Sequence, residues 1–91
     1  MNLLLWILIG IFGGNAIPHL VKGITKERYP CALGNGPVPN LVGGWACFVV
    51  ALMLARFTAQ GIPSYLDLAA GSVGLLLIGL FHAGIGAFGK R

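Results

Sequence analysis

Hydrophobic positions fall in three long blocks, and the polar positions are gathered between them. Leu3 to Leu20 carries no charged side chain, and a helix of that length rises far enough to cover most of a bilayer's roughly 30 Å hydrocarbon core. Leu41 to Ala59 is a second block, interrupted by Arg56 near its end. Tyr65 to Phe88 is a third, with Ser64-x-x-Asp67 at its start as a capping-box signature for the free amides of a new helix. The pattern predicts an all-α chain, one membrane domain over residues 1–91 with spans at about 3–20, 41–59 and 65–88 and a loop at 22–40. A cleaved secretory signal needs a positive n-region and a small-x-small site, and neither is convincing, so the first block is expected to stay as a span.

Glycine and proline refine this outline. Gly10 and Gly14, with Gly13 beside them, form a GxxxG pair that lets another helix approach closely. Pro18 removes a backbone donor and is expected to kink or end the first helix. Pro30, Gly34-Asn35-Gly36-Pro37 and Pro39 supply turns, so 23–40 reads as loop. In the second block Gly43, Cys47, Ala51, Ala55 and Ala59 recur every four residues, a ladder expected to pack against a neighbour. In the third, Gly71, Gly74, Gly79, Ala83 and Gly86 offer similar surfaces, and Gly79, His82 and Gly86 are expected to share one face.

Composition excludes a soluble reading. Hydrophobic residues make up 57% and charged residues 9%, against about 25% charged in soluble domains. The net charge of +4 comes from scattered residues and forms no continuous basic face for nucleic acid. It fits topology instead. Lys22, Lys26 and Arg28 in the first loop and Lys90 and Arg91 in the tail fall on one side of three spans, with Arg56 on the other. The positive side is cytoplasmic, which puts the amino terminus outside. Cys31 and Cys47 are then expected in or near a reducing compartment, as small apolar residues without a disulfide.

Candidate chemistry is sparse. Asn15, His19, Asn40, Trp45 and His82 all fall in or beside the loop-side half of the membrane. Polar groups there are costly and often functional, and two histidines titrating near neutral pH would make a proton, ion or solute station. The structural alternative has Asn15 and His19 bonding carbonyls freed by Pro18, and His82 bonding across helices. His19, Cys31, Cys47 and His82 show no recognised ligand spacing, so neither metal nor haem is expected. Glu27 and Asp67 lie on opposite sides and cannot act as an acid–base pair, and Ser64 and Ser72 lack a base. No enzyme activity and no cofactor is expected. Asp67 reads as structural, with a pairing to Arg56 compatible, and Arg56 as a side chain reaching for the headgroups.

Pro18-His19-x-Val21-Lys22-Gly23, then Arg28-x-Pro30, then Asn40 followed by Gly44-Trp45, resembles small bacterial inner-membrane proteins generally recorded as uncharacterised. In that family the tryptophan precedes glycine, whereas here it follows. The resemblance covers about a third of the chain. It implies a bacterial cytoplasmic membrane and brings no activity or site residue with it. The expected fold is a three-helix bundle too small to enclose a lumen, and therefore one that assembles. A homo-oligomeric channel or solute pathway is the leading expectation. The alternative is an accessory subunit of a larger membrane complex, docking through its small-residue faces and basic loop. A membrane-permeabilising, holin-type role is disfavoured by the minimal charged tail. The expected partners are the lipid bilayer and either further copies or a larger membrane protein, with no nucleic acid.

Overall fold

The computed structural model describes residues 3–58 and 62–85. Within them the chain forms α1 (Leu3–Ile24), α2 (Pro37–Thr58) and α3 (Tyr65–Leu80), and α3 runs on into a π-helical segment, Phe81–Ile85. All three helices are long and apolar enough to cross a membrane, the third taken through Gly84. Ala59, Gly86, Lys90 and Arg91, which entered the sequence reading, lie outside the described residues.

Two helices are longer than expected, both because of proline. Pro18 does not end α1, which continues to Ile24. The proline forfeits one helix hydrogen bond, a loss that neighbouring helices make tolerable in an apolar setting. Pro37 and Pro39 belong to the first turn of α2 rather than to the loop. Backbone amides there have no helical partner to lose. The first one that needs a partner is that of Asn40, which donates to the Gly36 carbonyl at 3.2 Å. At the start of α3, Ser64 and Asp67 close the capping box in both directions: the Asp67 amide donates to Ser64 Oγ and the Ser64 amide to Asp67 Oδ2.

The helices do not surround a common line. α1 packs against both α2 and α3, while α2 and α3 meet each other marginally at most. The two faces of α1 used for this, Gly10–Gly14 and Gly13–Ala16–Leu20–Gly23, lie roughly 120° apart at 100° per residue. Missing side chains set the separations. A β-carbon at Gly10 would land on the Gly71 carbonyl, and one at Gly74 on the Ile7 carbonyl. Gly44 sits against the backbone of Ala16 and Leu20, and Gly23 against that of Leu41. Such close backbone approach gives extensive van der Waals contact between the helices.

The four-residue ladder on α2 coincides with the packing face only at Ala51, which is buried beside Gly13 of α1. Four residues turn a helix by about 400°, so such a row winds about 40° further around the axis at each step. The buried residues are Asn40, Gly44 and Ala51, whose spacing stays in line. Gly43 instead faces the loop, next to the sulfur of Cys31, and Ala55 is half-buried. Gly79 is likewise off the packing row. It is exposed, and a β-carbon there would meet nothing within 4 Å, because it lies one residue past Ile78, the side chain that packs on Gly14. Large apolar side chains such as Phe48, Leu52, Phe57 and Leu76 cover much of the outside.

Candidate functional site

The up-and-down order brings the end of α1, the loop, the start of α2 and the π segment of α3 to one end of the molecule. Asn40 organises that end. It is fully buried, with 0% of its surface exposed. A buried amide is costly unless it is hydrogen-bonded, and this one is bonded throughout. Its Nδ2 donates to the carbonyls of Tyr29 at 2.8 Å, Gly36 at 2.9 Å and Asn35 at 3.3 Å. Its Oδ1 lies 2.6 Å from Nδ1 of buried His19. One side chain thus ties α1, both arms of the loop and its own helix together.

The loop is built to meet it. Lys26 adopts a left-handed conformation (φ 61°), and Gly34, at φ 138°, occupies a region that side chains rarely enter. The Tyr29 amide donates to the Asn35 carbonyl at 3.0 Å, and Lys22 pairs with Glu27 at 2.8 Å. These turns fold Tyr29 inward. Its ring stands edge-on to His19 with centroids 5.4 Å apart and stacks on His82 at 6.2 Å with 19° between planes. His19 and His82 are themselves 6.2 Å apart, edge to face. Burial pushes the Tyr29 phenol above its usual range, opposed in part by the Lys22 ammonium, which lies 6.0 Å from the ring centroid.

Hydrogen bonding fixes both imidazoles. Three carbonyls around Asn40 Nδ2 leave its Oδ1 facing His19, so His19 Nδ1 must be the donor. His82 Nδ1 lies 2.8 Å from the Ile78 carbonyl and must donate as well. In the neutral rings the lone pair is therefore on Nε2 in both cases. His82 Nε2 is buried and has no hydrogen-bond partner among the described residues. His82 belongs to the π segment, and such widened turns recur at functional sites.

The structure brings together His19, Asn40 and His82 from the expected cluster and adds Tyr29. Tyr29 reads as an interfacial residue in sequence, and only the folded loop turns it inward. Asn15 is not at the cluster's centre. It donates to Cys47 Sγ at 3.3 Å and lines, with His19, Cys31 and Cys47, a neighbouring cleft of about 260 Å³. Trp45 does not belong to the cluster, because it follows Gly44 by one residue, turns outward, and is 61% exposed. The structural alternative fares no better in detail. His19 bonds a side chain rather than a carbonyl near Pro18, and His82 bonds within its own helix. At the other end Arg56 is exposed while Asp67 serves its capping box.

Among the described residues no group of three or more His, Cys, Asp or Glu is placed to hold a metal ion. The arrangement offers instead a rigid polar patch with two oriented imidazoles, and beside it a mostly apolar cleft containing two thiols. The chain matches no protein-family model, no curated protein and no solved structure, so its functional reading rests on its own residues.

Proposed function

We propose that this is an integral protein of a bacterial cytoplasmic membrane, with its amino terminus outside and its basic loop and carboxy terminus in the cytoplasm. In this reading it assembles with further copies into a pathway for protons or small polar solutes, with His19, His82 and Asn15 near the cytoplasmic mouth. The observation that carries the reading is the buried Nε2 of His82, unpartnered among the described residues and 6.2 Å ring to ring from His19. An unsatisfied buried acceptor costs about 1–3 kcal/mol. A histidine serving packing alone gains nothing from that cost, whereas one that takes up a proton or meets a passing donor needs the free lone pair. The three apolar helices support membrane placement, and the five-to-one distribution of basic residues supports the orientation.

The test is flux of protons and small solutes in liposomes with a set lumen pH. The wild-type protein should conduct, and His82→Phe and His19→Ala should each lower the flux at least tenfold. Unchanged flux in both variants would remove the histidines from the pathway.

A second reading, an accessory subunit docking on a larger membrane complex, has its own support. The loop carrying exposed Lys26 and Arg28 is held in one shape by Asn40, and a rigid charged surface suits recognition by a partner. Stoichiometric co-purification with a larger protein from native membranes, lost on Lys26→Glu/Arg28→Glu, would favour it over the pathway.

A further inference from the structure

We infer that Cys31 and Cys47 form a two-thiolate site for a soft, closed-shell monovalent cation of the copper(I) type. The inference goes beyond the proposed pathway and does not depend on it. Both thiols are free, half-buried and lining the same cleft of about 260 Å³.

Their positions are set from both sides. The Cys31 amide donates to Asn35 Oδ1 at 3.3 Å, and its carbonyl accepts from the Gly34 amide at 3.1 Å, so the residue is pinned in the loop. Its sulfur lies 3.8 Å from the Pro39 carbonyl and 3.0 Å from where a β-carbon at Gly43 would stand. Pro39, Gly43 and Cys47 succeed one another by one helical turn. The Cys31 sulfur therefore rests on α2 one turn before Cys47, about 5–6 Å in β-carbon spacing. Helical side chains lean back toward the amino-terminal turn, which directs the Cys47 thiol to the same place. Gly43 is what admits the Cys31 sulfur there.

The chemistry of the pair selects the ion. Asn15 Nδ2 donates to Cys47 Sγ at 3.3 Å, an N–H that also serves the negative charge of a metal-bound thiolate. Among the described residues no third His, Cys, Asp or Glu is placed to complete a set, so zinc and iron, which take four or more ligands, do not fit. A soft ion content with two thiolates does. Binding releases both thiol protons: two R–SH and one M⁺ give [RS–M–SR]⁻ and two H⁺.

Silver(I) is a suitable probe, because it needs no reductant to stay monovalent. The full-length protein in detergent, with its thiols kept reduced by a phosphine, is titrated and followed by native mass spectrometry and by proton release. One ion per chain is expected, with two protons released per ion. Cys31→Ala and Cys47→Ala should each weaken binding at least 100-fold, and Gly43→Val about tenfold or more. Circular dichroism shows whether each variant keeps its helices. Asn15→Leu, which leaves both thiols in place, should weaken binding about tenfold and so tests the site even where a cysteine variant unfolds. Two ions per chain, or single-cysteine variants binding within a few-fold of wild type, would show independent thiols and overturn the assignment. Air oxidation to a Cys31–Cys47 disulfide without unfolding would confirm the proximity. Failure to form one in a folded protein would count against it.

Discussion

The two ends of α1 are held by opposite means. Toward its carboxy terminus, His19 is joined to α2 and the loop through hydrogen bonds that converge on Asn40. In its amino-terminal half it is joined to α3 by the absence of side chains, with Gly10 against Gly71 and Gly74 against Ile7. The first junction depends on what one side chain offers. The second depends on what several lack. A polar junction fixes orientation, down to the tautomer of a histidine, whereas a glycine junction fixes only distance. The oriented chemistry lies at the polar end for that reason, while the groove of about 350 Å³ between α1 and α3 has apolar walls of Trp6, Ile9 and Leu75 among others.

Substitutions at the two junctions should separate them. Asn40→Ala leaves the Tyr29 carbonyl and the His19 Nδ1–H without their partner, while the Asn35 and Gly36 carbonyls keep the Tyr29 and Asn40 backbone amides. At about 1–3 kcal/mol for each buried group left unpaired, and with partial rescue by water, the expected loss is about 2–4 kcal/mol in unfolding assays in mixed micelles. Hydrogen exchange should rise at Tyr29 and leave the amides near Gly10 protected. A loss confined to less than about 1 kcal/mol would contradict the latch. Gly74→Ala should cost about 1–3 kcal/mol, because its β-carbon forces the two backbones apart. Here exchange should rise along α1 and α3, and the loop should be spared. Gly79→Ala is the control. With nothing within 4 Å of its β-carbon, it should be neutral or stabilising by up to about 1 kcal/mol through helix propensity. A marked loss at Gly79 would instead reveal a contact with another copy.

The outline of this fold was legible because helices that can cross a membrane must be long and apolar, and the chain has few other options. The capping box of Ser64 and Asp67 was legible for a similar reason, since both partners lie within one turn. The path of the first loop was not. Nothing in the spacing of Tyr29 and Asn40 announces that the side chain of one binds the carbonyl of the other, because the contact depends on the turns at Lys26 and Gly34. The α2 face was misjudged because a repeat of four residues suggests a straight row, although 3.6 residues make a turn. Of the candidate cluster, His19, Asn40 and His82 were recoverable from being polar residues in apolar surroundings. Trp45 is amphipathic enough to face outward, and composition alone does not decide its direction.

Smaller effects sharpen the polar end. His82→Phe removes the unpartnered Nε2 but keeps a ring to stack on Tyr29, so it should change stability by no more than about 1 kcal/mol, whereas His19→Phe should lose about 1–3 kcal/mol with its Asn40 bond. Loss of flux without loss of stability in His82→Phe would separate function from packing. The smallest expected effect is alkaline. The Tyr29 phenol is raised above its ordinary 10.0 by burial. Below that value both folded and unfolded chains carry the proton and no stability depends on it. As pH rises past it, the unfolded chain ionises first, so stability should fall with increasing pH, and Tyr29→Phe should abolish that slope.

Side-chain nitrogen spectroscopy of the ¹⁵N-histidine-labelled protein in lipid tests the central claim most directly. In the neutral rings of both His19 and His82 the proton should sit on Nδ1, coupled to Asn40 and Ile78 respectively, with the lone pair on Nε2. Neutral rings protonated on Nε2 instead would contradict it.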